Sequence, residues 1–309
     1  MTPVLKRVGA VVHPGRPAAV ALGKELVRWA ADHGVELRTL EQERGCLGSE
    51  VPCVGPDQFP LGLDLVVVLG GDGTLLRAVG LSLRAQVPVL GVNVGRLGFL
   101  TEVEPDGLAD ALEAVWEGRY RVERRSTLLV HSTVDGRLVG EDLAANDLVL
   151  DKGARERLVS VAVYVDGRFL ARYAADGLIV ASPTGSTAYS FSAGGPIVSP
   201  HLDAVLLTAV APHMVFNRSL VLHPSEGLRL EVLPDSPVVE SVDGRAVREL
   251  PPGAVIEVRR SDLDALLVRI GDADFYGLVR SKFRLADAPE SGGAGHVSSV
   301  ERSGEAPDD

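Results

Sequence analysis

Leu63-Asp64-Leu65-Val66-Val67-Val68-Leu69-Gly70-Gly71-Asp72-Gly73-Thr74 decides the fold. Its first seven residues are a nearly continuous apolar run, the pattern of a strand covered on both faces as in a parallel sheet. Beyond the glycines, Leu75, Leu76, Val79 and Leu83 line one side of a helix. Toward the N-terminus, the β-branched run Val8 to Val12 ends at the turn His13-Pro14-Gly15. Leu22, Leu26 and Trp29 then share one helical face, Gly34 is placed to cap its end, and Val35 to Leu40 reads as a strand. Glu41 to Leu61, polar and rich in Gly and Pro, reads as loop. On the other side, Pro88 to Val92 is a second buried strand, and Leu108, Leu112 and Val115 mark a helix ending near Gly118. The alternation predicts a doubly wound α/β domain over residues 1–118, with its site outside the carboxyl ends of the strands.

After about residue 119 the character changes. Thr127 to Thr133, Arg137 to Leu150, Leu158 to Val165, Arg168 to Tyr173 and Gly177 to Ala181 are β-type segments. Asp135-Gly136 and Asp166-Gly167 sit between them as hairpin turns. Leu228 to Leu233 and Ala254 to Val258 add further strands. The prediction is a second, antiparallel β-rich domain over 119–286, its last part packing back on the first. Residues 287–309, acidic with Gly and Ser, are expected to be disordered.

Of the 309 residues, 46% are hydrophobic and 24% charged, ordinary for a soluble globular chain. The net charge of −11 argues against nucleic acid or an anionic membrane as partner, so any anionic ligand needs a local cation and backbone N–H groups. Two cysteines, Cys46 and Cys53, are too few for a disulfide framework and have no zinc-like spacing. With no signal peptide and no long apolar run evident, the expectation is a soluble protein of the reducing cytoplasm.

Gly70, Gly71, Gly73 and Thr74, at a strand–helix junction, suit phosphate binding: glycines allow positive φ and close approach, and a helix N-terminus presents free N–H groups. Asp72 would repel that phosphate unless it binds a cation or accepts a proton from an attacking hydroxyl; helix capping is the alternative. No P-loop or dinucleotide fingerprint is present: none of Lys6, Lys24, Lys152 or Lys282 has the Gly-Lys-Ser/Thr context, and Leu76 occupies the third glycine position. A second cluster, Gly91 to Leu100, also follows a strand, so parallel topology brings it to the same sheet edge; Phe99 offers either an aromatic face for a base or a core residue. The third, Asp176 to Ser190, is a strand followed by hydroxyls around Pro183 and Gly185, suited to ribose and phosphate oxygens or simply to turns. It holds no Gly-x-Ser-x-Gly elbow. The fourth is the polar pair Asn146-Asp147 inside a β-rich stretch. The seven histidines are scattered and suggest no role, and no metal ligand is identified.

Together the four clusters resemble the NAD kinase family. Gly-Gly-Asp-Gly-Thr is shared with 6-phosphofructokinases and with diacylglycerol and sphingosine kinases; Gly91 to Leu100 and Asp176 to Ser192 with Gly194-Gly195-Pro196 are the specific pieces, over roughly residues 5 to 285. The resemblance implies a homo-oligomeric (dimeric or tetrameric), Mg²⁺-dependent enzyme. It would phosphorylate the 2′-hydroxyl of the adenosine ribose of NAD from ATP or polyphosphate, with the active site between the two domains. It implies Asp72 as general base, with Gly73 beside it and Leu76 and Phe99 flanking the adenine. Asn146 and the next acidic residue would hold the nicotinamide-side ribose and pyrophosphate region. Asp176, Thr184, Thr187, Ala188, Tyr189 and Ser192 would line the rest of the NAD pocket. The family usually has Asn-Glu where this chain has Asn146-Asp147. Aspartate sets the carboxylate ~1.5 Å further back, leaving a direct and a water-mediated ribose contact both open. A diacylglycerol-type lipid kinase and a non-catalytic dinucleotide sensor are the rival readings.

Overall fold

The computed structural model describes residues 5–95, 98–152, 158–234, 237–271 and 274–285. The chain begins with β1 (Arg7–Val12), α1 (Pro17–His33), β2 (Glu36–Leu40) and β3 (Cys53–Val54). Next come β4 (Leu65–Gly70), α2 (Asp72–Ser82), β5 (Val89–Asn93), α3 (Leu108–Trp116) and β6 (Arg121–Arg125). Then follow β7 (Leu128–Val134), β8 (Arg137–Ala144), β9 (Asp147–Lys152), β10 (Val159–Val165), β11 (Arg168–Ala175) and β12 (Gly177–Ala181). A 3-10 turn at Thr184–Thr187 and α4 (Tyr189–Ser192) precede β13 (Val205–Val210), β14 (Leu220–Leu222) and β15 (Leu228–Val232). The last elements are β16 (Val238–Val242), β17 (Arg245–Leu250), β18 (Val255–Arg260), β19 (Ala265–Arg269) and α5 (Phe275–Phe283). One compact unit runs to residue 273 and a second begins at Asp274, its described part being α5.

Among the described residues, three sheets organise the first unit. The first has the order β3-β2-β1-β4-β5-β19-β6, parallel except for β6. The uninterrupted apolar run of β4 is buried along its whole length because α1 and α3 cover one face of this sheet and α2 the other. Pro17 opens α1, and Gly34 closes it in the left-handed region at φ 66°. The other two sheets are antiparallel, in the orders β11-β10-β15-β18-β7-β8 and β14-β13-β12-β9-β16-β17. They share a core that includes Val130, Leu148, Val161, Leu178, Val180, Leu207 and Ile256. The outer face of the third sheet is covered as well, Ile179 and Ala181 packing with Val198 and Leu206.

The fold class is thus the α/β plus β-rich one expected, with several local differences. The segment Arg137 to Leu150 is two strands in two sheets, divided at Ala145-Asn146. The stretch read as loop, Glu41 to Leu61, contains a 3-10 turn (Glu41–Glu43) and the edge strand β3. β6, just past 119, belongs to the first sheet, as does β19, which lies in the last part of the region expected to pack back on the first domain. The tail from 287 lies outside the described residues.

Candidate active site

β1 leads through α1 to β2 on one side, whereas β4 leads through α2 to β5 on the other. The loops after β1 and β4 therefore diverge, and such a switch point opens a crevice at the carboxyl ends of parallel strands. Asp72 stands at this edge as the first residue of α2; Gly71 is the N-cap and makes no side-chain cap. Asp72 therefore does not cap its own helix. Its Oδ2 accepts the N–H of Phe99 at 2.8 Å, and its Oδ1 accepts those of Leu100 at 3.2 Å and Thr101 at 3.4 Å. One carboxylate thereby ties together the first two clusters read from the sequence. Gly98 permits this approach, since a methyl group there would overlap Asp72 Oδ1. Phe99 and Leu76 are both half-buried near this junction.

The glycines at 70, 71 and 73 do not take the positive φ expected of them. They matter for space instead: a methyl at Gly70 would overlap the buried Thr74 side chain, whereas Gly73 is exposed with open space where a side chain would be. Thr74 gives its N–H to the Gly71 carbonyl at 2.9 Å. A cation that sequence reading missed completes the edge. Arg16, in the loop after β1, lies with Nη1 2.5 Å from where a Cβ of Gly95 would stand and 3.8 Å from that of Gly71. No ion pair or side-chain hydrogen bond involves Arg16 among the described residues. Only the tertiary fold reveals it, because 55 residues separate it from Gly71 (71 − 16).

The third and fourth clusters meet where the chain changes sheets. Ser182 donates its N–H to the Asn146 carbonyl at 2.8 Å and its hydroxyl to the Ala145 carbonyl at 2.6 Å. Gly185 packs so closely on Asn146 that a methyl there would overlap its carbonyl. Asp243, also missed, sits in the β16–β17 turn at φ 49°, before Gly244 at φ 73°. It accepts the N–H groups of Ala145 at 3.0 Å, Asn146 at 2.7 Å and Asp147 at 3.3 Å. An Asp-Gly pair between apolar alternations was the available signal, as at the two hairpins that were read. Asp147 is 4% exposed, and burial, followed by the charge of Asp243, pushes its carboxyl up to about 7. Ala145 packs in the same cluster as Leu75, with Leu76 against it, so the Asn146 turn faces α2.

Thr184 is buried and accepts the Thr187 hydroxyl on its carbonyl at 3.3 Å. Thr187 and Ala188 are half-buried; Tyr189 and Ser192 are exposed. Burial, then the charges of Asp151, Asp176 and Asp147, raise the Tyr189 phenol. Asp176 stands at the far end of β12 from the hydroxyl-rich turn and pairs with Lys152 at 2.9 Å. Four buried polar atoms along these loops have no hydrogen-bond partner among the described residues: His13 Nδ1, Asn93 Oδ1, Thr101 Oγ1 and Asn146 Oδ1. A ligand rich in hydroxyls and phosphates would satisfy them. No group of three or more His, Cys, Asp or Glu is placed to hold a metal among the described residues. Mg²⁺ suits such a setting when most of its ligands are substrate phosphates and water.

Residues 8–120 match the ATP-NAD kinase N-terminal domain and residues 145–270 the C-terminal domain. NAD kinase 1 of Streptomyces avermitilis is 42% identical, over 92% of this chain and 88% of its own. The NAD kinase of Mycolicibacterium paratuberculosis is 39% identical, over 92% and 97%. Among solved structures, yeast NADH kinase complexed with NADH superposes with a TM-score of 0.85 at 27% identity, over 95% of this chain and 91% of that one. An NAD kinase from Archaeoglobus fulgidus in complex with ATP gives 0.69 at 25%, over 90% and 98%. The loops joined at Asp72 and the turns joined at Asn146 are therefore those of a chain that belongs to the NAD kinase family.

Proposed function

We propose that the protein transfers the terminal phosphoryl group of ATP to the 2′-hydroxyl of the adenosine ribose of NAD, giving NADP. The observation that carries this reading is the Asp72 carboxylate, held by three backbone N–H groups at the switch-point edge beside the open backbone of Gly73. In the reaction the 2′-oxygen bonds to the γ-phosphorus as the bond to the β–γ bridging oxygen breaks. The hydroxyl proton passes to Asp72, and ADP leaves. Positioning and charge neutralisation supply most of the acceleration in such transfers, with proton removal assisting. Arg16 and the N-terminal N–H groups of α2 neutralise the donor's phosphates. Mg²⁺ would be held mainly by those phosphates and by water, and would supply further charge neutralisation. Leu76 and Phe99 flank the adenine; Asn146 and Asp147 hold the second ribose; Asp176, Thr184, Thr187, Ala188, Tyr189 and Ser192 line the remainder.

The test is incubation with NAD, Mg²⁺ and ATP or polyphosphate, followed by detection of NADP. EDTA abolishes the activity, and Asp72→Asn retains NAD binding while turnover falls by about 10²–10⁴-fold. Near-normal turnover in that variant removes the base assignment. We further propose a cytoplasmic homo-oligomer. Support comes from exposed Leu138 and Val139 on β8 and Phe169 and Leu170 on β11, the two edge strands of the second sheet. Analytical ultracentrifugation reads the subunit number.

A further inference from the structure

Arg269 closes β19 and is 4% exposed, a guanidinium in the interior of the first unit. Its Nε donates to Glu123 Oε2 at 2.6 Å, and its Nη1 donates to Glu102 Oε2 at 2.9 Å. The same Nη1 donates to the Leu100 carbonyl at 3.2 Å. Glu102 Oε1 returns the link, accepting the N–H of Ile270 at 2.7 Å and of Gly271 at 3.0 Å. Residues 100–102 and the end of β19 therefore grip each other from both sides. Burial alone would push the Glu123 carboxyl up, but its bonds and charges with Arg125 and Arg269 outweigh that and hold it low, so the site is ionised and paired.

The Leu100 carbonyl and the Thr101 N–H lie in one rigid peptide plane and point in opposite directions within it. Arg269 holds the carbonyl side, and the N–H side faces Asp72 Oδ1. We infer that Arg269 is a positioning residue for Asp72: through the Leu100–Thr101 peptide it fixes the orientation of the carboxylate that receives the ribose proton. The inference rests on the reading of Asp72 as that proton acceptor. It also gives β19, which arrives from the far end of the sequence, a part in the chemistry at the Gly-Gly-Asp-Gly loop.

The decisive variant is Arg269→Lys. It keeps a positive charge between Glu102 and Glu123, but a single ammonium cannot reproduce the planar fork that reaches two carboxylates and a carbonyl together. A misplacement of about 1 Å in a reacting group costs up to about 10²-fold, so kcat falls by about 10–100-fold at saturating NAD and ATP. KM for NAD stays within about twofold, because ground-state contacts are kept. Amide hydrogen exchange at Leu100 and Thr101 accelerates in the same variant. Glu102→Gln keeps an acceptor oxygen while weakening the hold on Arg269. It shifts kcat and exchange in the same direction, and it serves as the readout should Arg269→Lys fold poorly. Asp72→Asn is assayed in parallel. If it retains turnover, the reading of Asp72 falls. If it is inactive while both other variants lower only the melting temperature, with kcat and exchange unchanged, Arg269 is merely structural and the inference alone is overturned.

Discussion

Asp72 joins two loops with the same carboxylate that the proposed reaction needs, and its lone pairs are enough for both. An ionised carboxylate offers about four acceptor positions, of which three backbone N–H groups occupy three. Arg16 is the complementary residue, a cation beside the glycine loops without an ionic partner among the described residues. A charge-assisted hydrogen bond is worth about 1.5–3 kcal/mol, so Arg16→Ala raises KM for ATP by about 10–100-fold and leaves KM for NAD unchanged. Steady-state kinetics with each substrate varied in turn checks this. Asp147 brings a pH dependence. Its folded-state pKa, about 7, lies above the ordinary 3.8, so protonation favours the folded state. The stability it contributes is fully present below about pH 4 and is lost as pH rises through about 7, on the order of 4 kcal/mol. Melting temperatures between pH 5 and 8.5 will show Asp147→Asn gaining on the parent protein as pH rises; parallel curves contradict the assignment.

Among the elements, β8 and β9 show where sequence legibility ends. Alternation and β-branching identify both as strands, yet nothing in the run Arg137 to Leu150 says that the chain leaves one sheet and enters another at Ala145-Asn146. That break is stabilised by Asp243, about 100 residues later. Asp243→Ala strands three backbone N–H groups and costs about 2–3 kcal/mol, measurable by urea unfolding; an unchanged midpoint would contradict that role. The buried run of β4, the helix after it and the hairpins at Asp135-Gly136 and Asp166-Gly167 were readable because their causes are local: periodicity, apolar continuity and turn chemistry. For the same reason Asp72, Asn146 and the hydroxyls after β12 stood out as candidates. Arg16, Asp243 and Arg269 did not, since each is an ordinary surface-type residue until distant strands bring it to a loop.

At the scale of the whole molecule, the first sheet is built from both ends of the sequence. β19 lies between β5 and β6, pairing parallel with one and antiparallel with the other, and it brings Ala265, Leu267 and Val268 into the buried core. A fragment of residues 1–126 therefore lacks the strand that joins its last two. It is expected to give no cooperative thermal transition, and co-expressed residues 127–309 should restore one; a sharp calorimetric peak from the fragment alone would contradict this. On the ribosome, 172 residues separate Asn93 from Ala265 (265 − 93). At about 5–20 residues per second, the edge of β5 waits roughly ten to thirty seconds for its neighbour. An open strand edge is a template for wrong pairing, so nascent chains of this enzyme are most exposed to aggregation, and most in need of chaperones, during that interval.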